Sequence, residues 1–209
     1  MRRASKFLLT IIGLALIGGV SACTRKLAPE TSCNFVQNSE MQRVSWGSQT
    51  PIKLYIHQSV DPKYWPAIQA AVQTWNDEIP GRDLFKIEGT GVTGSPTPQR
   101  DGYSIIYMMN DWEADRPNEQ ARTTIYWTGN QIYETDMRIN AKNFNFNYAT
   151  TSGTFYGVDL QSLVLHELGH MLGLAHTPTA GSVMAVSLAS GLERRAPSTD
   201  DVNDLRCEY

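Results

Sequence analysis

Residues 166–176 read His166-Glu167-Leu168-Gly169-His170-Met171-Leu172-Gly173-Leu174-Ala175-His176. Histidines four residues apart on a helix lie one turn apart on the same face, so the first two imidazoles of this run can bind one ion. Gly173 can adopt a positive φ and end the helix, which lets the chain turn back and bring His176 to the same ion. Three neutral imidazoles leave one position of a tetrahedral zinc ion open for water, and this is the pattern of a catalytic zinc site.

Glu167 is the candidate general base of this site. It is turned by about 100° from His166 around the helix, so it can reach a zinc-bound water without being a ligand itself. The chain contains four histidines, of which three lie in the quoted run. We expect the fourth, His57, to be a solvent-facing side chain on a strand.

The quoted run matches the zinc signature of the metzincin peptidases, His-Glu-x-x-His-x-x-Gly-x-x-His, at every fixed position. Downstream, Ser182-Val183-Met184-Ala185 resembles the Met-turn of that family, in which a methionine lies beneath the zinc-binding histidines. The alternative for Met184 is a core methionine in a loop. The layout from Val44 to Tyr209 resembles a matrixin catalytic domain, although only the zinc motif and the Met-turn are highly specific.

The resemblance implies a zinc-dependent endopeptidase. Glu167 would take a proton from the zinc-activated water and pass it to the leaving amine. An extended protein or peptide substrate would lie along the edge strand predicted at Thr123–Trp127. The loop Ala185–Leu188 would form the wall of the pocket for the side chain after the cleaved bond.

The chain also departs from the matrixin pattern. No histidines remain for the structural zinc of animal matrixins, so we predict a single, catalytic zinc. The resemblance also allows bound calcium, but the sequence contains no pattern that identifies its ligands. We interpret Asp111, Asp115 and Asp159 as solvated acids or helix caps. Val186 stands where some metzincins carry a tyrosine that helps the transition state. Thr177 stands where many matrixins have serine.

By the same resemblance, we expect an α+β fold. It would contain a twisted, mostly parallel five-stranded sheet with an antiparallel edge strand, three helices, and an active-site cleft between a larger N-terminal and a smaller C-terminal subdomain. Apolar periodicity predicts strands at residues 52–57, 84–87, 104–108, 123–127 and 132–139. It predicts helices at residues 61–79 and 158–172 and a last helix that starts at Ser198 or Thr199. Residues 89–102 are expected to form a surface loop.

The N-terminus has the pattern of an export signal. Basic residues precede an apolar run at residues 7–20, which ends in Val20-Ser21-Ala22-Cys23. This tetrapeptide resembles the lipobox of bacterial lipoproteins, so we expect a signal peptide over residues 1–22, lipid on Cys23, a tether over residues 23–43 and the peptidase domain over residues 44–209. The protein would be exported and anchored to a bacterial membrane, the outer one in a Gram-negative cell. The alternatives are an ordinary signal peptide cut near Ala22 and an uncleaved helical anchor.

Two further cysteines, Cys33 and Cys207, remain if Cys23 carries lipid. An even pair in an exported protein predicts a disulfide between them. The alternative is that Cys33 binds the zinc as a latency thiolate, but its neighbours do not resemble the propeptide motif that does so in some relatives.

Composition fits one globular domain. The chain has 209 residues, 41% hydrophobic and 19% charged, and its net charge of −3 comes without a long run of one sign. Nothing in this pattern indicates nucleic-acid binding, and we expect a monomer. A lipid-anchored binding or adhesion protein that keeps zinc only for shape is the alternative function, but such a protein would not need Glu167. The same sequence pattern fits a peptidase dedicated to one partner protein or peptide as well as a general peptidase.

Overall fold

The computed structural model describes residues 33–149 and 151–209. The predicted signal peptide and the lipidation site at Cys23 lie outside the described residues. Among the helices that are described, none has the length and apolar character needed to cross a membrane.

The main strands are β1 (Ile52–His57), β2 (Phe85–Val92), β3 (Ser104–Met109), β4 (Ala121–Thr128) and β5 (Gln131–Asn140). Two short strands, β6 (Phe146–Asn147) and β7 (Val158–Asp159), pair in parallel with each other. The helices are α1 (Trp65–Asp77), α2 (Leu160–Met171) and α3 (Thr199–Leu205), and a 3-10 turn at Pro62–Tyr64 leads into α1.

The sheet has the topology that the resemblance implies. Its five main strands lie in the order β2-β1-β3-β5-β4. Neighbouring strands are parallel except for β4, which pairs antiparallel with β5 at one edge. The predicted α+β fold with a mixed five-stranded sheet and three helices is therefore confirmed. Because β4 is an edge strand, one side of its backbone is left without a partner strand in this sheet.

The core lies between the sheet and the two long helices. Alternate residues of β1, Ile52, Leu54 and Ile56, are buried together with the apolar faces of α1 and α2. The indole nitrogen of Trp75 on α1 donates a buried 2.8 Å hydrogen bond to the carbonyl oxygen of Leu165 on α2. This bond joins α1 to α2 inside the core, so the helix that carries two of the histidines is anchored to its neighbour.

Both ends of α2 are determined by local chemistry. The carboxylate of Asp159 caps the first turn by accepting a hydrogen bond from the backbone N–H of Ser162 at 3.0 Å, and Arg195 neutralises its charge. After α2, Gly173 has a φ of +98°. A methyl group at this position would overlap the carbonyl oxygen of Val44, so both the turn and the close packing require glycine.

The segment Cys33–Arg43 differs from the tether that we predicted for residues 23–43. Phe35 is only 4% exposed and forms an antiparallel bridge with Leu174. The backbone N–H of Val36 donates to the carbonyl oxygen of Gly173 at 2.8 Å. These residues belong to the folded domain because their backbone supplies partners for the chain that leaves α2.

Two further expectations were wrong. His57 is 3% exposed and packs beside Tyr107, with 4.9 Å between ring centroids, whereas we expected it to face solvent. β2 continues to Val92 through part of the region expected to be a loop. Gly89 permits this extension because its backbone passes close to the ring of Tyr55 and leaves little room for a side chain.

Candidate metal centre

The three predicted ligands converge on one point. The Nε2 atom of His170 lies 3.1 Å from that of His166 and 3.0 Å from that of His176, and the third side of this triangle is 3.3 Å. His166 and His170 project from one face of α2. His176 reaches them because the chain reverses at Gly173. In the described part of the chain, these residues are the group of three that could hold a metal ion.

The tautomers of two histidines follow from their outer hydrogen bonds. Nδ1 of His166 lies 2.6 Å from the carbonyl oxygen of Val183, and Nδ1 of His170 lies 2.8 Å from that of Leu174. A carbonyl oxygen can only accept, so each Nδ1 carries the proton and donates it. The Nε2 lone pairs of both rings therefore point into the triangle, which is the arrangement that metal-binding imidazoles require.

The triangle fits zinc. Zn–N bonds of about 2.0–2.1 Å at tetrahedral angles place neighbouring nitrogens about 3.3 Å apart. The observed separations of 3.0–3.3 Å leave a common point about 2 Å from all three nitrogens. The unprotonated Nε2 atoms of His166 and His170, 3.1 Å apart, would repel each other without a cation, so the donor set itself favours a bound metal.

Burial keeps these imidazoles neutral. It lowers the pKa of His166 and of His170 to about 4, because the charged form of each ring would lose its hydration. It also lowers the pKa of His176. Neutral rings are available as ligands at physiological pH without first having to release a proton.

Glu167 lines the same cavity as the three histidines but lies outside the ligand group. Its side chain is buried, and its Oε2 accepts a 2.6 Å hydrogen bond from the hydroxyl of Thr123 on β4. Burial raises the pKa of this carboxyl, whereas His170 and the Thr123 hydroxyl act in the opposite direction. The hydrogen bond from Thr123 therefore orients the Glu167 side chain within this cavity.

Met184 lies against the helix that carries the ligands. It is 2% exposed, and a methyl group on Gly169 would overlap its sulfur atom. The turn that presents it is held at both ends: the backbone N–H of Met184 donates to the hydroxyl of Ser182 at 2.8 Å, and its carbonyl oxygen accepts from Thr177 at 3.0 Å. Met184 thus packs against α2 at Gly169, one residue before the second histidine.

Asp201 is a residue of the site that the sequence analysis missed. This buried carboxylate accepts from the backbone N–H of Val183 at 3.0 Å and from the hydroxyl of Ser182. It also accepts from the backbone N–H of Ser198 and completes the capping box of α3. Since the carbonyl oxygen of Val183 orients His166, Asp201 connects α3 to the first ligand. The capping pattern Ser198-x-x-Asp201 was the signal in the sequence that could have drawn attention to it.

A cavity of about 400 Å³ opens beside the triangle. One wall comes from β4 and the residues before it, the floor from α2, and the other wall from residues 185–188. The predicted pocket wall Ala185–Leu188 thus lines this cavity. The open site and the cavity together can accept a chain that passes over the three histidines.

The remaining predicted site residues lie apart from the triangle. Cys33 and Cys207 are joined by a disulfide, so Cys33 is not a thiolate that could bind zinc in this structure. Asp159 caps α2, as described above, and Asp111 and Asp115 are highly exposed.

Comparison with known proteins places this geometry in a family. The matrixin peptidase family model matches residues 95–209, which include the histidines, Glu167 and Met184. Metalloendoproteinase 2-MMP of Arabidopsis thaliana is 36% identical over 52 residues, which are 25% of this chain and 14% of that protein. Metalloendoproteinase 5-MMP of the same plant is 33% identical over 52 residues, with the same coverage of 25% and 14%. The alignment thus spans only a small part of each relative, whereas the family model covers more than half of this chain. The chain belongs to the matrixin family.

Proposed function

We propose that the protein is a zinc-dependent endopeptidase that hydrolyses peptide bonds in extended proteins or peptides. The observation that carries this proposal is the convergence of three Nε2 atoms, 3.0–3.3 Å apart, beside the buried carboxylate of Glu167. A structural zinc ion, which only stabilises the fold, would not need a carboxylate next to its open coordination position.

The proposed mechanism assigns a distinct task to each group. Zinc, when bound by the three histidines, polarises the substrate carbonyl and lowers the pKa of water toward about 7. Glu167 takes a proton from the attacking water and later gives it to the leaving amine. Thr123 positions Glu167 through the 2.6 Å hydrogen bond, so the carboxylate need not reorganise between the two transfers.

The substrate would bind as an additional strand. β4 is an edge strand, and the cavity beside the histidines begins at its first residues. Backbone hydrogen bonds to such an edge recognise an extended chain with little regard to its side chains. Side-chain preference would then come from the cavity.

The function is tested by comparing the zinc-loaded wild type with Glu167→Ala on casein and on a random peptide library. Glu40→Ala, which removes an exposed carboxylate, is the matched control. We expect the wild type and the control to cleave, and Glu167→Ala to lose at least about a hundredfold in rate while it keeps its zinc and its circular dichroism spectrum. A zinc-bound wild type that cleaves no peptide would favour the alternative of a binding or adhesion protein.

We also propose that the protein is exported and anchored through lipid on Cys23. The lipobox-like tetrapeptide supports this, as does the disulfide between Cys33 and Cys207, a bond typical of oxidising compartments. Cys23→Ser should release the protein from the membrane fraction. Retention in the membrane after the first 22 residues have been removed would argue against lipid on this cysteine.

A further inference from the structure

An arginine, Arg194, lines the cavity beside the three histidines. The backbone N–H of Arg194 donates to the hydroxyl of Ser162 at 2.7 Å. Ser162 lies four residues before His166 on α2, so this contact is about 6 Å along the helix from the first ligand. A guanidinium nitrogen of Arg194 donates to the carbonyl oxygen of Ser187 at 3.1 Å, so the backbone of Arg194 contacts α2 and its charged group contacts the opposite wall of the cavity.

This positive charge is not neutralised by the residues around it. Among the described residues, no ion pair within 4.0 Å involves Arg194. Its neighbour Arg195 instead pairs with Asp159 and Glu193. Glu119 also lines the cavity, but its carboxylate is already bound by Arg122. A half-buried cation without a counter-ion in a substrate cavity is therefore available to a negative group on a ligand.

Part of the cavity lining is apolar. Leu163 of α2, Val183 and Leu188 line the same cavity as the histidines and Arg194. A side chain that fits must therefore place methylene groups against these residues and a negative group at its end. Glutamate meets this description better than aspartate, because its additional methylene group gives more contact with these apolar residues.

We propose that Arg194 makes this cavity selective for an acidic side chain, glutamate before aspartate, in the substrate residue next to the cleaved bond. This inference rests on the proposed endopeptidase function. Arg194 is then a specificity-determining residue and takes no part in the proton transfers.

The test uses peptides that differ only in Glu, Gln or Leu at the residue that enters the cavity, with the cleaved bond located by mass spectrometry. For the wild type, we expect kcat/KM for the Glu peptide to exceed that for the Gln peptide about five- to thirtyfold, because a charge-assisted hydrogen bond is lost. The ratio should approach one in Arg194→Gln and stay unchanged in Arg206→Gln, which removes the same charge from an exposed position. Arg194→Glu should prefer a Lys peptide.

Binding gives a second measurement that does not depend on turnover. Fluorescence anisotropy of the same peptides with Glu167→Ala should show tighter binding of the Glu peptide, and added salt should reduce the difference. Equal affinity and equal cleavage of the Glu and Gln peptides by the chain with Arg194 intact would overturn the inference, even if the Arg194 variants did not fold. Absence of cleavage of every peptide by the wild type would instead count against the proposed function.

Discussion

The hydroxyl of Thr123 on β4 donates a 2.6 Å hydrogen bond to Oε2 of Glu167 on α2. This contact joins the strand proposed to bind substrate to the residue proposed to move the proton. The two residues are 44 positions apart in the sequence, so the bond exists only after the sheet and the helix have packed. It explains how a carboxylate that is almost fully buried keeps a fixed orientation.

Thr123→Val should lower kcat about tenfold and leave KM and zinc content nearly unchanged, because the carboxylate loses its positioning partner while the ligands stay in place. Thr123→Ser should restore most of the rate. Thr124→Val is the matched control, since successive side chains of a strand point to opposite faces. Steady-state kinetics on one peptide checks this, and a Val variant as fast as the wild type would show that Glu167 does not depend on this hydroxyl.

Asp201→Asn should weaken zinc binding about tenfold or more, because the turn that holds the carbonyl oxygen of Val183 against His166 loses a charged acceptor. The exposed Asp200 in the same turn of α3 offers a control, Asp200→Asn. Competition with a chromophoric chelator measures the zinc Kd. If both variants bound zinc like the wild type, Asp201 would serve only to cap α3.

The chemistry of the site could be read from the sequence because it is local. His166, Glu167, His170 and His176 lie within eleven residues, and helix geometry together with Gly173 suffices to bring them together. Asp201 and Thr123 could not be found in this way, since their partners are 18 and 44 residues distant. Their roles depend on which strand and which turn pack against α2, and a single pattern of residues does not determine this.

In the fold, too, the features set by local sequence could be predicted and those set by long-range packing could not. Apolar periodicity located the main strands and helices, but it missed the packing of Cys33–Arg43, because that segment is held largely by backbone hydrogen bonds and a disulfide. The burial of His57 was also missed. The alternation of apolar and polar residues in β1 indicates which face of the strand packs against the helices. It does not indicate that the opposite face is also covered, as it is where His57 packs beside Tyr107.

Removal of the disulfide in Cys33→Ser/Cys207→Ser should lower the free energy of unfolding by about 3–5 kcal/mol, because the bond links residues 174 positions apart and restricts the unfolded chain. Denaturant unfolding of the zinc-loaded protein measures this. Reduction of the disulfide in the wild type should lower the free energy of unfolding by the same amount. The double variant in the same reductant is the control. A loss below about 1 kcal/mol would mean that packing at Phe35 holds this segment without the bond.

Asp136 should make stability depend on pH. Burial, assisted by the nearby Glu134 and Asp101 and opposed by the hydrogen bond from the backbone N–H of Ile105, raises the pKa of this carboxyl from 3.8 to about 7. An acid whose pKa is raised by folding destabilises the folded state once the pH exceeds its unfolded value, and the penalty is complete above the folded pKa.

Asp136→Asn should therefore gain stability relative to the wild type as the pH rises, by about 2–3 kcal/mol between pH 5 and pH 8. Urea unfolding of both proteins at the two pH values gives this difference, and groups common to both proteins cancel in it. The exposed Asp115 supplies the control variant, Asp115→Asn. A difference that does not change with pH would show that Asp136 is ionised in the folded protein throughout this range.

The central claim is that His166, His170 and His176 bind one zinc ion through Nε2 and leave a position open. X-ray absorption at the zinc edge of the purified protein tests this most directly, together with the zinc content of the wild type and of His176→Ala. We predict one zinc per chain with three imidazole nitrogens at about 2.0 Å and one further light-atom ligand, and markedly weaker binding in the variant. A zinc environment with fewer than three imidazoles, or a variant that binds zinc as tightly as the wild type, would contradict the account.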